Sequence, residues 1–327
     1  MIRDRAIIVA PNWLGDFIMA LPSMDALCRS QGVESVVVVR PSLAEVGPLL
    51  PSARILKLEK STPNLLSAIR RIRRLNPEIA LVYPTSFRAA LVAYGSGAPI
   101  RIGISHPESA WAMTIRISPP GRTVHMVETF SELVRAGGIE VTEELPHIEL
   151  ERFPVSESPI AIEGDFMVVA PGATFGPAKR WEADRFAKLC GLLSEAYSCR
   201  IFLVGTEQER SYLEGIRLMY PKRIVNLAGM TTIPELIGIL GRARLFVGND
   251  SGVAHAAALS RTRGVVIFGS SSPIWTRPLW HGVTVIYTEL PCSPCYRREC
   301  PLGHTNCLKQ ISIDDVFQQC QKVLDTE

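Results

Sequence analysis

The chain has 327 residues, of which 47% are hydrophobic and 20% charged, a balance that excludes an intrinsically disordered protein and suits two domains of about 150 residues each. It holds no apolar run near the ~20 residues that a membrane-spanning helix needs. The net charge is only +3, but residues 1–122 carry 15 Lys and Arg against 8 Asp and Glu, which predicts an anionic partner for the first part of the chain. No interleaving of aromatic and basic residues accompanies these charges, so nucleic acid is not expected to be that partner.

Strand and helix patterns alternate along the first half of the chain. Apolar runs predict strands at 6–10, 35–39 and 79–83, and helical periods predict helices at 17–29, 65–75 and 87–94. Pro22 falls inside the first predicted helix, where it either opens the main helix at its first turn or kinks it. This alternation is typical of a parallel sheet covered by helices.

A second series of elements follows a proline-containing stretch. Residues 151–164 show no helical period and are interpreted as a linker, which divides the chain into domains 1–155 and 156–327. Beyond it the patterns predict strands at 166–170, 200–204, 224–226, 245–247 and 265–268 and helices at 183–196, 207–219, 233–243, 253–259 and 313–324. We therefore expect two Rossmann-like, doubly wound α/β domains that face each other across a cleft. In such sheets, ligands bind beyond the carboxyl ends of the strands.

Gly15 and Asp16 lie in the turn that follows the first predicted strand. Two interpretations of this carboxylate stay open: a helix N-cap, for which Asp is a favoured residue, or a general base that points toward the other domain. The chain contains neither the G-x-G-x-x-G motif of dinucleotide-binding domains nor the motif of P-loop NTPases.

Two turns of the second domain are suited to an anion. The segment 170–181, APGATFGPAKRW, is a glycine-rich loop with Lys179 just before a predicted helix, which suits either a diphosphate or a solvated surface loop. The segment 248–255, GNDSGVAH, joins a strand to a helix and so offers backbone N–H groups and the positive end of a helix dipole. Both follow predicted strands of one sheet, which favours a phosphate-binding function.

Together, these segments resemble glycosyltransferase family 9. The resemblance rests on Gly15-Asp16 with Pro22, on the loop 171–181, on Asn226-Leu227-Ala228-Gly229, and on the turn 248–255 followed by Gly269-Ser270-Ser271-Ser272-Pro273. It implies a two-domain GT-B fold, an ADP-heptose donor on the C-terminal domain and an acceptor on the N-terminal domain. It also implies inversion at the anomeric carbon, with no cofactor and no metal required for transfer.

The resemblance also implies roles for individual residues. Asp16 matches the catalytic base, and Thr174 and Lys179 match positions that contact the diphosphate. The donor turn is matched by four further residues, Asp250, Ser251, Gly252 and His255. Glu207 suits a carboxylate that binds the ribose hydroxyls and Met230 suits packing against adenine, although an ordinary surface Glu and an ordinary core Met remain alternatives for these two.

The acceptor implied by the resemblance is the anionic inner core of lipopolysaccharide, which the basic first part of the chain fits. Arg88 and Arg101 follow strand-like segments and are candidate acceptor-binding residues. Four further arginines wrap around one predicted helix, which favours a solvated face over contact with an anionic membrane: Arg70, Arg71, Arg73 and Arg74. The expected location is cytoplasmic, with peripheral association at the inner face of the inner membrane.

A cluster of cysteines near the C-terminus is not explained by the transfer chemistry. Cys292, Cys295, Cys300 and Cys307 have a C-x2-C-x4-C-x6-C spacing that is compatible with a structural zinc or cluster, with disulfides or with free thiols. Two alternative functions also stay open at this stage. One is a nucleotide-sugar epimerase of the same fold, and the other is a non-catalytic protein that binds nucleotides or lipopolysaccharide.

Overall fold

The computed structural model describes residues 5–30, 33–59, 61–155, 162 and 164–325. The chain divides into two compact units, Met1–Pro146 and His147–Glu327, so the division lies nine residues before the predicted one. The reason is that the segment before residue 155 packs on the second unit, where a Cβ at Gly238 would lie 2.5 Å from the carbonyl oxygen of the buried Phe153. Within the predicted linker 151–164, residues 156–161 and 163 lie outside the described residues.

Six parallel strands form the sheet of the first unit: β1 (Arg5–Val9), β2 (Glu34–Val39), β3 (Ala53–Lys57), β4 (Ile79–Val82), β5 (Ile100–Ile104) and β6 (Ile115–Ile117). Their order in the sheet is β3-β2-β1-β4-β5-β6. In register, Val9 of β1 lies opposite Val38 of β2 and Val82 of β4. The central strands are buried on both faces, which is why their sequences are nearly unbroken apolar runs.

The helices of the first unit are α1 (Leu14–Arg29), α2 (Thr62–Arg73), α3 (Phe87–Gly95) and α4 (Met126–Arg135). Leu65 of α2 and Ala89 of α3 share one apolar cluster with Ile7 and Val82 of the sheet, and α1 packs against α4. Pro22 lies in the interior of α1, which begins at Leu14. The alternative in which Pro22 opens this helix is therefore wrong.

The second unit repeats this arrangement. Its parallel strands are β7 (Phe166–Ala170), β8 (Arg200–Leu203), β9 (Ile224–Asn226), β10 (Phe246–Asn249), β11 (Gly264–Phe268) and β12 (Val283–Tyr287). Its helices are α5 (Ala183–Tyr197), α6 (Arg210–Met219), α7 (Ile233–Leu240), α8 (Gly252–Leu259), α9 (Pro273–Thr276), α10 (Asn306–Lys309) and α11 (Ile313–Asp325). The fully buried Trp181 anchors the core, and its indole Nε1 donates a hydrogen bond to the carbonyl of Ile311, 3.1 Å away.

Both sheets reverse their strand order at the centre. The second sheet runs β12-β11-β10-β7-β8-β9, so its reversal lies between β7 and β10, as that of the first sheet lies between β1 and β4. At such a switch point the connections leave in opposite directions and open a crevice at the carboxyl ends of the two strands. The prediction of two Rossmann-like α/β units is confirmed. Among the described residues, none of the helices combines the length and apolar character that crossing a bilayer demands.

Candidate functional site

The switch point of the second sheet brings together the ends of β7 and β10. β7 leads into the loop 171–181, and β10 leads through Asp250 and Ser251 into α8. Gly248 of β10 lies opposite Ala170 of β7, and a Cβ at Gly248 would lie 2.9 Å from the carbonyl oxygen of Ala170. Only glycine permits this close approach of the two backbones. The glycine-rich loop and the donor turn that the sequence singles out are thus neighbours at one edge of the sheet.

Asn249 connects the loop to β10. The side chain is fully buried; its Oδ1 accepts a hydrogen bond from the backbone N–H of Trp181 (3.0 Å), and its Nδ2 donates one to the carbonyl of Pro171 (2.7 Å). One amide therefore holds both ends of the loop against the last residue of the strand. Asn249 belongs to the turn 248–255 that the sequence singles out, but the sequence pattern gives it no role of its own.

Lys179 and Asp250 form an ion pair at this edge. Lys179 Nζ lies 2.5 Å from Asp250 Oδ2, and their side chains are 16% and 4% exposed. The hydroxyl of Ser271 also donates a hydrogen bond to the Asp250 carboxylate, and the backbone N–H of Asp250 donates to the carbonyl of Ile267. The Oδ2 atom of Asp250 thus accepts from both Lys179 and Ser271, and the carboxylate holds the Lys179 ammonium beside the start of α8.

Helix α8 begins at the same edge with unused hydrogen-bonding groups. Its N-cap residue, Ser251, is extended and its side chain makes no capping bond. The Oγ of Ser251 is buried and has no hydrogen-bond partner in the part of the chain that the structure describes. A buried polar atom without a hydrogen-bond partner destabilises the folded protein by about 1–3 kcal/mol. A ligand that forms a hydrogen bond with this hydroxyl would remove that cost. The first N–H groups of a helix attract anions, and His255 is buried one turn further along α8.

A second cation reaches the loop from a distant part of the chain. The Lys179 ammonium lies 5.1 Å and the Arg298 guanidinium 5.5 Å from the centroid of the Phe175 ring. The carbonyl of Arg298 accepts a hydrogen bond from the N–H of Ala178 (3.0 Å), and a Cβ at Gly176 would lie 2.5 Å from that carbonyl oxygen. Sequence reasoning missed Arg298, because its distance along the chain from the loop conceals the contact.

Glu207 and Met230 are also brought together. Glu207 follows β8, and its two carboxylate oxygens share the Nε–H of Arg210, each 3.0 Å from that nitrogen. Gly229, the residue before Met230, has a φ of +70°, and a Cβ there would lie 2.8 Å from the Cα of Glu207. Met230 is half-buried and Thr174 is exposed, so both present side-chain surface to a ligand.

In the first unit, Asp16 lies beyond the end of β1. It is the third residue of α1, whose N-cap is Trp13, so the structure excludes the N-cap interpretation of Asp16. Arg40 holds the two residues before α1 in place. Its Nη1 donates a hydrogen bond to the carbonyl of Asn12 (3.0 Å), and its guanidinium lies 5.5 Å from the Trp13 ring centroid. The carboxylate therefore lies in the first turn of a helix, next to the switch point of the first sheet.

The two arginines proposed for the acceptor differ in position. Arg88 lies in the first turn of α3, beyond the carboxyl end of β4, and donates a hydrogen bond to the carbonyl of Glu59. Arg101, in contrast, is the second residue of β5. Its guanidinium donates to the carbonyls of Ala98 (2.5 Å) and Ala112 (2.6 Å). The prediction that Arg101 follows a strand is wrong: it lies at the amino end of the strand, away from the switch-point edge, with a structural role.

The described residues give no support to the zinc alternative for the cysteine cluster. Within the described ranges, no group of three or more His, Cys, Asp or Glu side chains has an arrangement that can hold a metal ion. All four thiols of the cluster are free. Hydrogen bonds from the backbone, above all from Thr305 and then from residues 302–304, hold the pKa of the Cys300 thiol below its ordinary value. Burial raises the pKa of Cys307, as do the neighbouring thiols of Cys295, Cys300 and Cys292.

The sequence of the chain is similar to those of known heptosyltransferases. The profile of a family described as glycosyltransferase family 9 (heptosyltransferase) matches residues 65–306. The chain is 33% identical over 158 residues to lipooligosaccharide heptosyltransferase 2 of Campylobacter jejuni, an alignment that spans 47% of this chain and 49% of that protein. It is 27% identical to lipopolysaccharide heptosyltransferase 2 of Escherichia coli K12, over 86% of this chain and 87% of that one.

The fold agrees with that of a solved relative. The structure of E. coli ADP-heptose lps heptosyltransferase II superposes with a TM-score of 0.83 over 98% of both chains, at 23% sequence identity. At this level of identity the likeness concerns the fold, which is the two-domain GT-B type.

Proposed function

Because the chain belongs to glycosyltransferase family 9, we propose that it is an inverting heptosyltransferase that moves a heptose from ADP-heptose to the inner core of lipopolysaccharide. The observation that carries the proposal is the arrangement at the second switch point. There, Lys179 is held by Asp250 beside the start of α8, where the buried hydroxyl of Ser251 has no partner among the described residues. The similarity to two named heptosyltransferases 2 supports the same reaction.

We assign the donor to this edge of the second unit. Lys179, the first N–H groups of α8 and the Ser251 hydroxyl bind the diphosphate, and Gly252 leaves the approach to these N–H groups open. Thr174 adds a hydroxyl from the loop, and Arg298 adds a second positive charge. At the neighbouring strand, the exposed carboxylate of Glu207 accepts hydrogen bonds from the ribose, and Met230 packs against the adenine. His255, buried one turn further along α8, holds the turn 248–252 in position.

Asp16 is assigned as the general base of the first unit. As the acceptor hydroxyl oxygen attacks the anomeric carbon, its proton passes to the Asp16 carboxylate. The bond between the anomeric carbon and the phosphate oxygen breaks at the same time, and its electron pair leaves with ADP. Attack opposite the leaving group inverts the configuration. Arg88, near the same switch point, is assigned to the anionic groups of the acceptor.

The leaving ADP gains negative charge in this step. Lys179 and the N–H groups of α8 are fixed before the substrate binds, so they stabilise this charge without reorganisation. The proposal therefore assigns no cofactor to the reaction. Transfer that persists in the presence of EDTA is the expected result, and loss of transfer that Mg²⁺ restores would contradict this part of the proposal.

The decisive experiment is an assay of the purified protein with ADP-heptose and truncated lipopolysaccharide acceptors, with the product identified by its mass. Asp16→Asn should lower kcat by about 10²–10⁴-fold, the usual contribution of a general base. Its affinity for ADP, measured by calorimetry, should stay unchanged. Asp25→Asn is the matched control, because Asp25 lies on the same helix and its carboxylate pairs with Arg29, whose side chain is exposed. Full activity of Asp16→Asn would refute the assignment, and no transfer by the wild type would refute the function.

A further inference from the structure

An exposed aromatic patch lies on the first unit and contains none of the residues assigned above. We define the patch as Phe87, Tyr94 and Trp111, whose side chains are 55%, 61% and 45% exposed. The ring centroids of Phe87 and Trp111 are 5.7 Å apart, and those of Tyr94 and Trp111 are 5.6 Å apart. The three rings thus form one continuous apolar surface. Single exposed apolar residues are ordinary, but a contiguous patch of this kind marks a surface that contacts a partner.

The fold presents these rings outward for a clear reason. Phe87 and Tyr94 are two turns apart on α3 and so share one face of it, while Ala89, Ala93 and their neighbours bury the other face. Trp111 comes from a short 3-10 turn, residues 110–112, that packs on α3. Its Nε1 donates a hydrogen bond to the carbonyl of Glu108 (3.0 Å), so the polar atom is satisfied within the unit. The ring surfaces remain available to a partner.

Positive charges flank the patch. A Cβ at Gly95 would lie 2.6 Å from Ile69, so α2 and α3 are in close contact at this point. The contact brings the basic end of α2 to the C-terminal end of α3, where Tyr94 lies, and the Arg73 side chain runs past Gly97, just beyond that end. On the other side, the Arg101 guanidinium lies 5.8 Å from the Tyr94 ring centroid.

The arginines of α2 are available for an anionic partner. The exposed members are Arg70, Arg71 and Arg73, with Arg74 as the C-cap residue, and none of the four makes an ion pair to a carboxylate within the described part of the chain. The apolar residues of α2 that face the core are Leu65, Ala68 and Ile72. The helix therefore displays its charge outward, next to the aromatic rings.

We propose that the aromatic patch and the arginines of α2 dock the first unit on the surface of an anionic lipid bilayer. The rings of Trp, Tyr and Phe prefer the boundary between headgroups and acyl chains, and arginine pairs with lipid phosphates above it. The proposal rests on the proposed function, since a lipopolysaccharide acceptor is held in a membrane by its lipid part. Docking through this patch would bring the enzyme to the surface that holds its acceptor.

The test is sedimentation of the full chain with vesicles of phosphatidylcholine alone or mixed with phosphatidylglycerol. The wild type should bind the mixed vesicles, and added salt should weaken that binding. The double variant Tyr94→Ser/Trp111→Ser should bind them about ten-fold or more weakly, because it loses the apolar part of the contact. The control Leu218→Ser/Met219→Ser removes two apolar side chains of the second unit that are 62% and 58% exposed, and it should bind as the wild type does.

Two results would overturn the docking surface. One is equal vesicle binding by the wild type and the patch variant, with both folded by thermal unfolding. The other is a wild-type dimer in sedimentation velocity that the patch substitutions dissociate without a change in vesicle binding, which would assign the patch to a second copy of the chain. Transfer to a soluble acceptor without acyl chains should be the same in both proteins. Absence of that transfer in the wild type would count against the proposed function and leave the vesicle result to decide the patch.

Discussion

Lys179 Nζ lies 2.5 Å from Asp250 Oδ2; Asp250 directly follows β10, and Lys179 lies in the loop that follows the adjacent strand β7. Both side chains are largely buried, so the pair is not the solvent-screened kind that contributes little to stability. Because Asp250 also accepts from Ser271, its carboxylate has one orientation, and that orientation fixes the lysine ammonium. The pair thus aims a positive charge at the edge where α8 begins.

The first prediction concerns this pair. Lys179→Ala and Asp250→Ala should each weaken ADP binding by about 10–100-fold, because a charge-assisted hydrogen bond contributes about 1.5–3 kcal/mol. The double variant should lose less than the sum of the two single losses, since each substitution removes the same arrangement. Calorimetric titration with ADP measures all three. Lys188→Ala, an exposed lysine of α5, is the control, and strictly additive losses would show that Asp250 does not act through Lys179.

The second prediction concerns Arg298. Its guanidinium lies 5.5 Å from the Phe175 ring centroid and makes no ion pair among the described residues, so its charge is available to the donor diphosphate. Arg298→Ala should raise the KM for ADP-heptose about ten-fold and leave the KM for the acceptor unchanged. Steady-state kinetics with each substrate varied in turn gives both values. Arg297→Ala removes an adjacent exposed cation and should have the same KM for ADP-heptose as the wild type. Equal increases in KM for the two variants would show that Arg298 acts only through the general positive charge of this segment and not through a specific contact.

The third prediction tests the close approach of β7 and β10. A Cβ at Gly248 would lie 2.8 Å from the Phe246 ring and 2.9 Å from the Ala170 carbonyl oxygen, so Gly248→Ala should destabilise the protein by about 1–3 kcal/mol. Gly215→Ala is the matched control, because a Cβ there meets no atom within 4 Å and Gly215 lies inside α6. It should stabilise the protein by up to about 1 kcal/mol. Denaturant unfolding compares the two, and equal stabilities would mean that the strands move apart at little cost.

The fourth prediction concerns the reactivity of the cysteine cluster with pH. Backbone N–H groups hold the pKa of Cys300 below its ordinary value, whereas burial raises that of Cys307. The thiolate is the reacting form, so alkylation of Cys300 by iodoacetamide should reach half its maximal rate at a lower pH than that of Cys307. Mass spectrometry of digested protein resolves the two sites. Loss of the low-pH labelling in Cys300→Ser would identify the thiol, and a common pH dependence of both sites would contradict the prediction.

The sequence predicted the parts of the site that follow directly from strand ends. Gly248–His255 and the loop with Lys179 are each local patterns, and parallel topology alone requires strand ends to share an edge. Neither pattern could reveal which residue pairs with Lys179 or that Asn249 faces the loop. These contacts depend on side-chain directions that only tertiary packing fixes.

The errors have physical causes as well. Arg101 lies in β5, whose apolar residues alternate with polar or small ones, so the strand shows no apolar run, and the sequence pattern placed its arginine beyond a strand. The sequence patterns also give no strand at β3, β6 or β12, each of which lies at a sheet edge, is only partly buried and contains polar residues that interrupt its apolar run. The cysteine spacing indicated proximity along the chain, but it contains no information on the direction in which each thiol points.

The double hydrogen bond of Asn249 has a consequence for the time course of binding. Since one side chain anchors both ends of the loop 171–181 to the sheet, these ends lose their conformational entropy when the protein folds, and less of this loss is left for the step in which the substrate binds. A preorganised loop of this kind favours association without a slow conformational step. The Asn249 side chain also couples the loop to β10. The backbone amides of Trp181 and of β10 should therefore exchange with solvent only when the loop and the strand open together.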